Sequence, residues 1–455
     1  MSTAVELALN AVIGRPTEPI MLDKPLSVDE LPTPALVLDR EIMTANIQTM
    51  SQHLAKHGKG FRPHAKTHKC PTIARLQMEA GAVGICTAKV SEAAVMVRAG
   101  IESVLITSPV STPHKASAVN AILGPNITLL LVVDSMEGFT ALASEIDDDK
   151  RVGILLDLDV SMGRTGIRDD ALFLRLLEAV HGDDRFYFAG VQHYAGHIMH
   201  IPEFEKRREK SLRSWERLAS KFELLEQQGI NPDIVTGGGT GTFDIDVTLD
   251  PLTDIQVGSY IFMDEEYRQV AGPSSDRFQG FDLALTVACT AISQPQNATI
   301  TVDGGYKAFA SDSVNPVCDA LPDLQFRFAG DEHGVLILPE RAESPGDNEI
   351  SAVRLGQVLE FAVPHCDPTV NLHDQYWIRE ADGMIHSLWP VSALVGSWFR
   401  ENSQGLVHAR SFSRRWPSDA AYRVLQRHRH GDLPRALVVA APSSGAAGTA
   451  FGTHG

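Results

Sequence analysis

Between residues 40 and 275 the chain alternates two hydrophobic patterns. Short runs, most of them apolar, read as strands at 61–66, 83–87, 103–108, 127–134, 152–159, 186–193, 233–236 and 254–257. Between them, apolar residues recur every three or four positions over 90–99, 113–122, 136–146, 169–181 and 202–229, the stripe of a half-buried helix. An earlier stripe, Met43, Ile47, Met50 and Leu54, predicts a helix with Asp39 as its N-cap and Gly58 as its stop. The connection after the seventh strand is rich in Gly and Thr and shows no clear helix. This α/β rhythm predicts a (β/α)8 TIM-type barrel, with a doubly wound sheet as the alternative.

Beyond about Phe281 the rhythm changes. Segments 283–293, 298–302, 335–338, 355–363 and 375–379 are short, strand-like and separated by Gly, Pro, Asp and Asn, which predicts a second, mainly β domain. Residues 33–38 are also strand-like and could pair with it. The expected organisation is a segment 1–39 joining the β domain, a barrel over 40–275, a β domain over 276–393 and a tail of uncertain order over 394–455. In that tail Gly, Ala and Ser dominate the last dozen residues, and a helix around 417–430 could dock.

Candidate chemistry sits at the predicted strand ends, where a barrel gathers its reactive groups. The run Phe61-Arg62-Pro63-His64-Ala65-Lys66-Thr67-His68-Lys69 reads as a strand whose Arg62, His64, Lys66 and His68 share one face. Basic neighbours lower the pKa of a lysine, and a neutral amine is a nucleophile suited to a Schiff base. Strand five runs into Met162-Gly163-Arg164-Thr165-Gly166, and strand six ends at His193-Tyr194-Ala195-Gly196-His197. Strands seven and eight end in Gly237-Gly238-Gly239-Thr240 and Gly258-Ser259-Tyr260, where bare backbone amides could approach a phosphate. In Pro364-His365-Cys366-Asp367, an extended backbone would put His365 and Asp367 on one face, an imidazole and a carboxylate suited to a divalent ion. His193, His197 and His200 could form a metal cluster of their own or serve as loop and substrate contacts. Asp303 and Lys307 could support the site or form a structural ion pair.

Composition narrows the field. The chain has 455 residues, is 44% hydrophobic and carries a formal net charge of −17, which argues against nucleic acid and anionic membranes as partners. No apolar run approaches a membrane span, and no signal peptide is expected. The five cysteines, Cys70, Cys86, Cys289, Cys318 and Cys366, are scattered and form no CxxC pair, as expected of free thiols in the cytoplasm.

Several segments together carry a family resemblance: TPALVLD at 33–39, RPHAKTHK at 62–69, MGRTG at 162–166, TGGGTGTF at 236–243, QVGSYIFMD at 256–264, DEHG at 331–334, HCDPTVNL at 365–372 and WPVSA at 389–393. Over about 30–393 the chain resembles the D-threonine aldolase and D-serine dehydratase group of fold type III pyridoxal phosphate enzymes, whose barrel is shared with alanine racemase. The resemblance implies that Lys66 is the Schiff-base lysine, with Lys69 a neighbour on the opposite face. It implies cofactor contacts from His64, Arg164, Tyr194, Gly238, Gly239, Thr240, Gln256, Gly258, Ser259 and Tyr260. Gln256 stands where racemase relatives have an arginine near the pyridine nitrogen, so a neutral partner should leave that nitrogen unprotonated. His365 and Asp367 are implied as ligands of a divalent metal (Mn, Zn, Mg or Co); dehydratases of the group more often carry cysteine in place of the aspartate. Ala195 departs from the histidine or glutamine usual after the strand-six tyrosine, which leaves His193 or His197 as the expected general base. The implied activity is metal-assisted cleavage of a D-3-hydroxy amino acid to glycine and an aldehyde, in a homodimer. The rivals are β-elimination to a keto acid and ammonia, racemisation, and a non-catalytic carrier of the cofactor.

Overall fold

The computed structural model describes residues 14–295, 299–338 and 353–394. The expected tail, with its helix around 417–430, lies outside them. Eight parallel strands run in the order Gly60–Phe61, Asp254–Ile255, Ile234–Gly237, Phe186–His193, Val152–Leu158, Thr128–Val133, Ser103–Ile106 and Ile85–Thr87. The ring closes between the first and last of these. The Val83 amide donates to Phe61 (2.8 Å), a bridge joins His64 to Cys86, and the Ala65 amide donates to the Cys86 carbonyl (2.8 Å). This is the expected barrel.

The strands form because their apolar faces are buried twice, inward and against helices. Cys86, Leu105, Leu130, Val132, Leu155 and Ala189 form one buried cluster inside the ring. Alternate residues such as Leu129, Leu131, Val133, Ile154 and Leu156 belong to the larger core under the helices. One interruption matters for the site. Between Phe188 and Gly190 the sixth strand shifts register against its neighbour by one residue. Gly190 has φ +150°, and a Cβ there would stand 1.8 Å from the Ile234 carbonyl oxygen, so only glycine fits.

The helix Arg40–Lys56 starts on Asp39, whose carboxylate accepts the Ile42 amide at 3.0 Å, and ends before Gly58 at φ +69°. The predicted 202–229 helix is two, Phe204–Glu216 and Ala219–Gln227, and Pro71–Glu79 is a further helix begun by a proline. After the seventh strand come only a short turn, Thr240–Thr242, and the four-residue helix Phe243–Asp246.

The second layer is a nine-stranded, mostly antiparallel sheet. Ala35–Asp39 lies in its middle, between Gln375–Arg379 and Leu285–Ser293, and Ile20–Leu26 forms an edge on Ile385–Pro390. Three of its strands escaped the sequence reading: Ile20–Leu26, Gln325–Phe328 and Ile385–Pro390. Asp303 and Lys307 do not pair. Asp303 accepts from Thr33 Oγ1 (2.6 Å) and the Thr290 amide (2.7 Å), whereas Lys307 makes an exposed pair with Glu332. All five cysteines are buried free thiols. Among the described residues, no helix is long and apolar enough to cross a membrane.

Candidate active site

The expected strand 61–66 is shorter than predicted. Ladder pairing ends at the His64 bridge, and Lys66 sits in the turn that follows. Arg62 and His64 point into the barrel. Arg62 Nε donates to Asp254 Oδ1 (3.2 Å), and His64 Nε2 meets Thr107 Oγ1 at 3.0 Å. The Lys66 amide donates to His64 Nδ1 (3.3 Å), so the imidazole is neutral with its proton on Nε2. Burial, and then the Lys66 charge, holds its pKa well below the usual histidine value. His68 leaves the shared face; its Nδ1 accepts the Cys70 amide (3.1 Å) in the core.

Lys66 itself points to the β domain and pairs with Asp367, its side chain 40% exposed and that of Asp367 14%. This corrects the expected lowering of its pKa. Burial is the largest single influence and disfavours the ammonium, but the Asp367 carboxylate, with Tyr194 and Cys366 adding to it, raises the lysine above its ordinary value. The same pairing, joined by His365, carries Asp367 below the usual carboxylate range against the effect of burial.

His365 and Asp367 are not on one extended strand. His365 precedes the short helix Cys366–Val370, and Asp367 lies in its first turn. The segment is tied to the barrel's last strand end: the Cys366 amide donates to Asp264 Oδ2 (2.9 Å), and the Glu265 amide to the Val363 carbonyl (3.0 Å). His365 Nδ1 hydrogen-bonds Asp312 Oδ2 (2.8 Å), which leaves Nε2 as the ring nitrogen that could ligate. Among the described residues, no three His, Cys, Asp or Glu side chains are grouped to hold a metal ion. His365 and Asp367 would therefore be two protein ligands of an otherwise open shell, and the imidazole-carboxylate donor set, with Asp312 behind the imidazole, fits that role.

The bulge at Gly190 rearranges the expected bases. Tyr187 and Ala189 pack with the cluster inside the ring, so strict alternation would send His193 inward as well. After the shift Gln192 points in instead, and His193 stacks on Trp215 of the outer helix with ring centroids 4.1 Å apart. His197 is exposed, in the short turn Gly196–Ile198. Neither stands beside Lys66. The third histidine of that stretch, His200, lies near His365 and close enough to Asp367 and Lys66 to feel their charges. Its ring centroid lies 6.4 Å from that of His365, its Nδ1 is 3.4 Å from Glu266 Oε1, and its Nε2 is buried without a hydrogen-bond partner. Burial, and then His365, lowers its pKa to about 4, so it is a neutral acceptor at pH 7. Asp312, Glu266 and His200 come from three separate segments; no local motif joins them.

Deeper in the barrel, side chains lock one another. Gln192 Nε2 donates to Asp157 Oδ1 (2.9 Å) and the Thr107 carbonyl (3.2 Å), and its Oε1 accepts from Gln256 Nε2 (3.1 Å). Gln256 Nε2 also donates to Thr236 Oγ1 (3.2 Å), so Oε1 is the atom of Gln256 left for other partners. Burial pushes Asp157 up to about 6.

The two glycine loops meet on Thr240, whose Oγ1 accepts the amides of Gly258 (3.4 Å) and Tyr260 (3.1 Å). A Cβ at Gly239 would meet Met199 Sδ at 2.9 Å, and one at Gly258 would meet Thr67 Oγ1 at 2.6 Å. This is bare backbone that side chains could not line, and it fits a phosphate held by amides. Ser259 belongs to it. Tyr260 contributes backbone alone, because its ring is buried and its hydroxyl accepts Gln77 Nε2 (2.9 Å). Arg164 is exposed and lies 5.5 Å over the Tyr194 ring. Tyr194 is also near enough to Lys66 to add to its electrostatic environment.

Comparisons with known proteins agree with this architecture. The family "Alanine racemase, N-terminal domain" matches residues 38–266, and a "Putative serine dehydratase domain" matches 284–379. A D-threonine aldolase of an Arthrobacter species is 35% identical over 364 residues, covering 79% of this chain and 92% of that protein. A 3-hydroxy-D-aspartate aldolase of Paracoccus denitrificans is 30% identical over 368 residues, covering 80% and 92%. The crystal structure of D-threonine aldolase from Filomicrobium marinum superposes with a TM-score of 0.76 at 30% identity, covering 82% of this chain and 99% of that one. A racemase-type barrel presenting Lys66, joined to a dehydratase-type β domain presenting Asp367, places the chain in the alanine racemase-like, fold type III family of pyridoxal phosphate enzymes, among its lyases.

Proposed function

We propose that this protein is a metal-assisted lyase that cleaves D-3-hydroxy amino acids to glycine and an aldehyde. The observation that carries this reading is the seam where Lys66 of the barrel meets Asp367 and His365 of the β domain, with His200 beside them. Bound there, pyridoxal phosphate would supply an electron sink for the bond at Cα, and a divalent ion a Lewis acid for the β-hydroxyl. Lys66 would hold the cofactor, and the amides of Gly238 to Thr240 and Gly258 to Tyr260 its phosphate. His64, Tyr194, Arg164 and Gln256 would line its ring. His365 and Asp367 would hold the ion on one side, leaving its other positions to substrate and water. His200, neutral and with Nε2 unpaired, is the group placed to take the β-hydroxyl proton, a role the sequence reading gave to His193 or His197.

The relatives named above act on D-threonine and 3-hydroxy-D-aspartate, which supports a small D-3-hydroxy amino acid as substrate. The five free thiols support a reducing, cytoplasmic setting. The test is exhaustive chelation, confirmed by elemental analysis. Activity on D-threonine should vanish, return with added Mn, and be absent from Asp367→Ala under both conditions. Full activity in metal-free protein would overturn the metal's role.

A second reading is favoured by the dehydratase-type β domain: elimination of the β-hydroxyl, with Lys66 removing the α-proton. It would give keto acid and ammonia in place of glycine.

A further inference from the structure

Three residues beyond Lys66, Lys69 combines two features that are costly on their own. Its φ is +51°, a left-handed conformation that is strained for a residue with a side chain and open to glycine. Its ammonium is buried, 5% exposed, against the 2% exposed Glu92, with Nζ to Oε1 at 2.6 Å. A buried ion pair of this kind is often no more stabilising than apolar side chains of the same volume. Neither feature is needed to close the turn, since a glycine would do so without strain.

What the lysine adds is a grip. Its amide donates to the Ala65 carbonyl (2.7 Å), and its carbonyl accepts the Ala393 amide (3.1 Å). Its Nζ reaches both Glu92 and, at 3.4 Å, the Ala393 carbonyl. Glu92 is itself fixed, its Oε2 accepting the Ala88 amide at 2.7 Å. One residue earlier, the Tyr376 hydroxyl donates to the His68 carbonyl (2.7 Å). The turn that carries Lys66 is thus held by the barrel through Glu92 and by the β domain through Ala393 and Tyr376. An observed backbone outlier locked from several sides is a sign of a geometry worth its strain.

We propose that Lys69 is a positioning residue. Paired with Glu92 and Ala393, it sets the turn from which the Lys66 stem leaves toward Asp367, and it takes no part in the chemistry. This rests on the reading that Lys66 carries the cofactor. The closed pair also keeps the second amine of the motif out of the pocket, so that only Lys66 is presented.

The test compares Lys69→Gly, Lys69→Gln and Lys69→Gln/Glu92→Gln with the wild-type holoenzyme. The readouts are melting temperature, the rate at which cofactor-stripped protein regains the absorbance of lysine-bound pyridoxal phosphate, and the split between kcat and KM for D-threonine. Lys69→Gly removes the strain together with the grip. It should slow cofactor uptake and lower kcat by about ten- to a hundredfold, the scale of a misplaced reacting group, while KM stays within about twofold. The double glutamine variant rebuilds a neutral hydrogen bond between the two side chains and should recover most of the loss seen in Lys69→Gln. Uptake and kcat at wild-type levels in Lys69→Gly would overturn the proposal. So would losses that merely follow the melting temperature in all three variants. Lys66→Ala is run alongside. A cofactor band that survives there removes the reading on which the proposal rests, whereas a band lost there but regained at the wild-type rate in Lys69→Gly overturns the positioning role alone.

Discussion

Gly238→Ala tests the phosphate cradle with a cost that can be worked out beforehand. Gly238 has φ +63°, and a Cβ built there would stand 2.5 Å from Asp246 Oδ2 and 3.3 Å from Ile255 Cγ2. Asp246 cannot step aside. It is 1% exposed and accepts hydrogen bonds from Ser211 Oγ (2.6 Å) and Thr242 Oγ1 (2.5 Å). The left-handed backbone costs alanine roughly 1–2 kcal/mol, and overpacking adds about 1–3 kcal/mol. The strain can be relieved by moving the loop, which carries the amides away from the phosphate. If about 1–2 kcal/mol of it appears as lost binding, the Kd for pyridoxal phosphate rises about five- to thirtyfold. Gly229→Ala is the control. Its φ is +70°, nearly the same, but nothing lies within 4 Å of the added Cβ. It should cost the backbone term of roughly 1 kcal/mol in stability and leave the cofactor Kd unchanged. The assay is titration of cofactor-stripped protein with pyridoxal phosphate, followed by absorbance, beside thermal unfolding. Equal Kd values for the two variants would refute the cradle.

Other outcomes follow from the same geometry. Lys66→Ala should abolish the visible absorbance of the bound cofactor, and Lys69→Ala should not; the reverse would identify Lys69 as the reactive amine. Burial pushes Asp246 up to about 6, against about 4 in an unfolded chain, so the native state binds that proton more tightly. Its contribution to stability should fall as pH rises from about 4 to about 6, and pH-dependent thermal unfolding should lose that component in Asp246→Asn. A chain ending after Leu394 keeps the Ala393 contacts with Lys69 and should retain cofactor binding and activity, as measured by absorbance and product formation; a lost cofactor band would give the tail a part in the fold.

The barrel was legible because its strands are buried on both faces and announce themselves as apolar runs, and because Asp39 and Gly58 mark the ends of its first helix. Lys66 stood out through the polar alternation of its segment, although the ladder stops at His64. What takes His193 out of the pocket is one residue of register. The bulge at Gly190 sends Gln192 inward and His193 outward, and alternation read from the sequence cannot see an inserted residue. His200, Glu266 and Asp312 meet only through the packing of three distant segments, so no spacing rule could group them. The direction of the Lys66 shift is hidden from the sequence for a related reason. Its basic neighbours are adjacent in sequence, but its counter-charge, Asp367, lies about 300 residues away. In the β domain, Ile20–Leu26 and Ile385–Pro390 each contain a proline and broken alternation, which conceals them as strands; the first is the sheet's edge, and in the second, which has a neighbour on either side, the proline is the last residue.

The most direct measurement is of products. Purified protein loaded with pyridoxal phosphate and Mn is given D-threonine, and glycine, acetaldehyde, keto acid and ammonia are quantified together. Cleavage between Cα and Cβ predicts glycine and acetaldehyde in equal amounts, with keto acid and ammonia in the minority. Keto acid and ammonia without glycine would contradict the account and assign the seam between Lys66 and Asp367 to elimination.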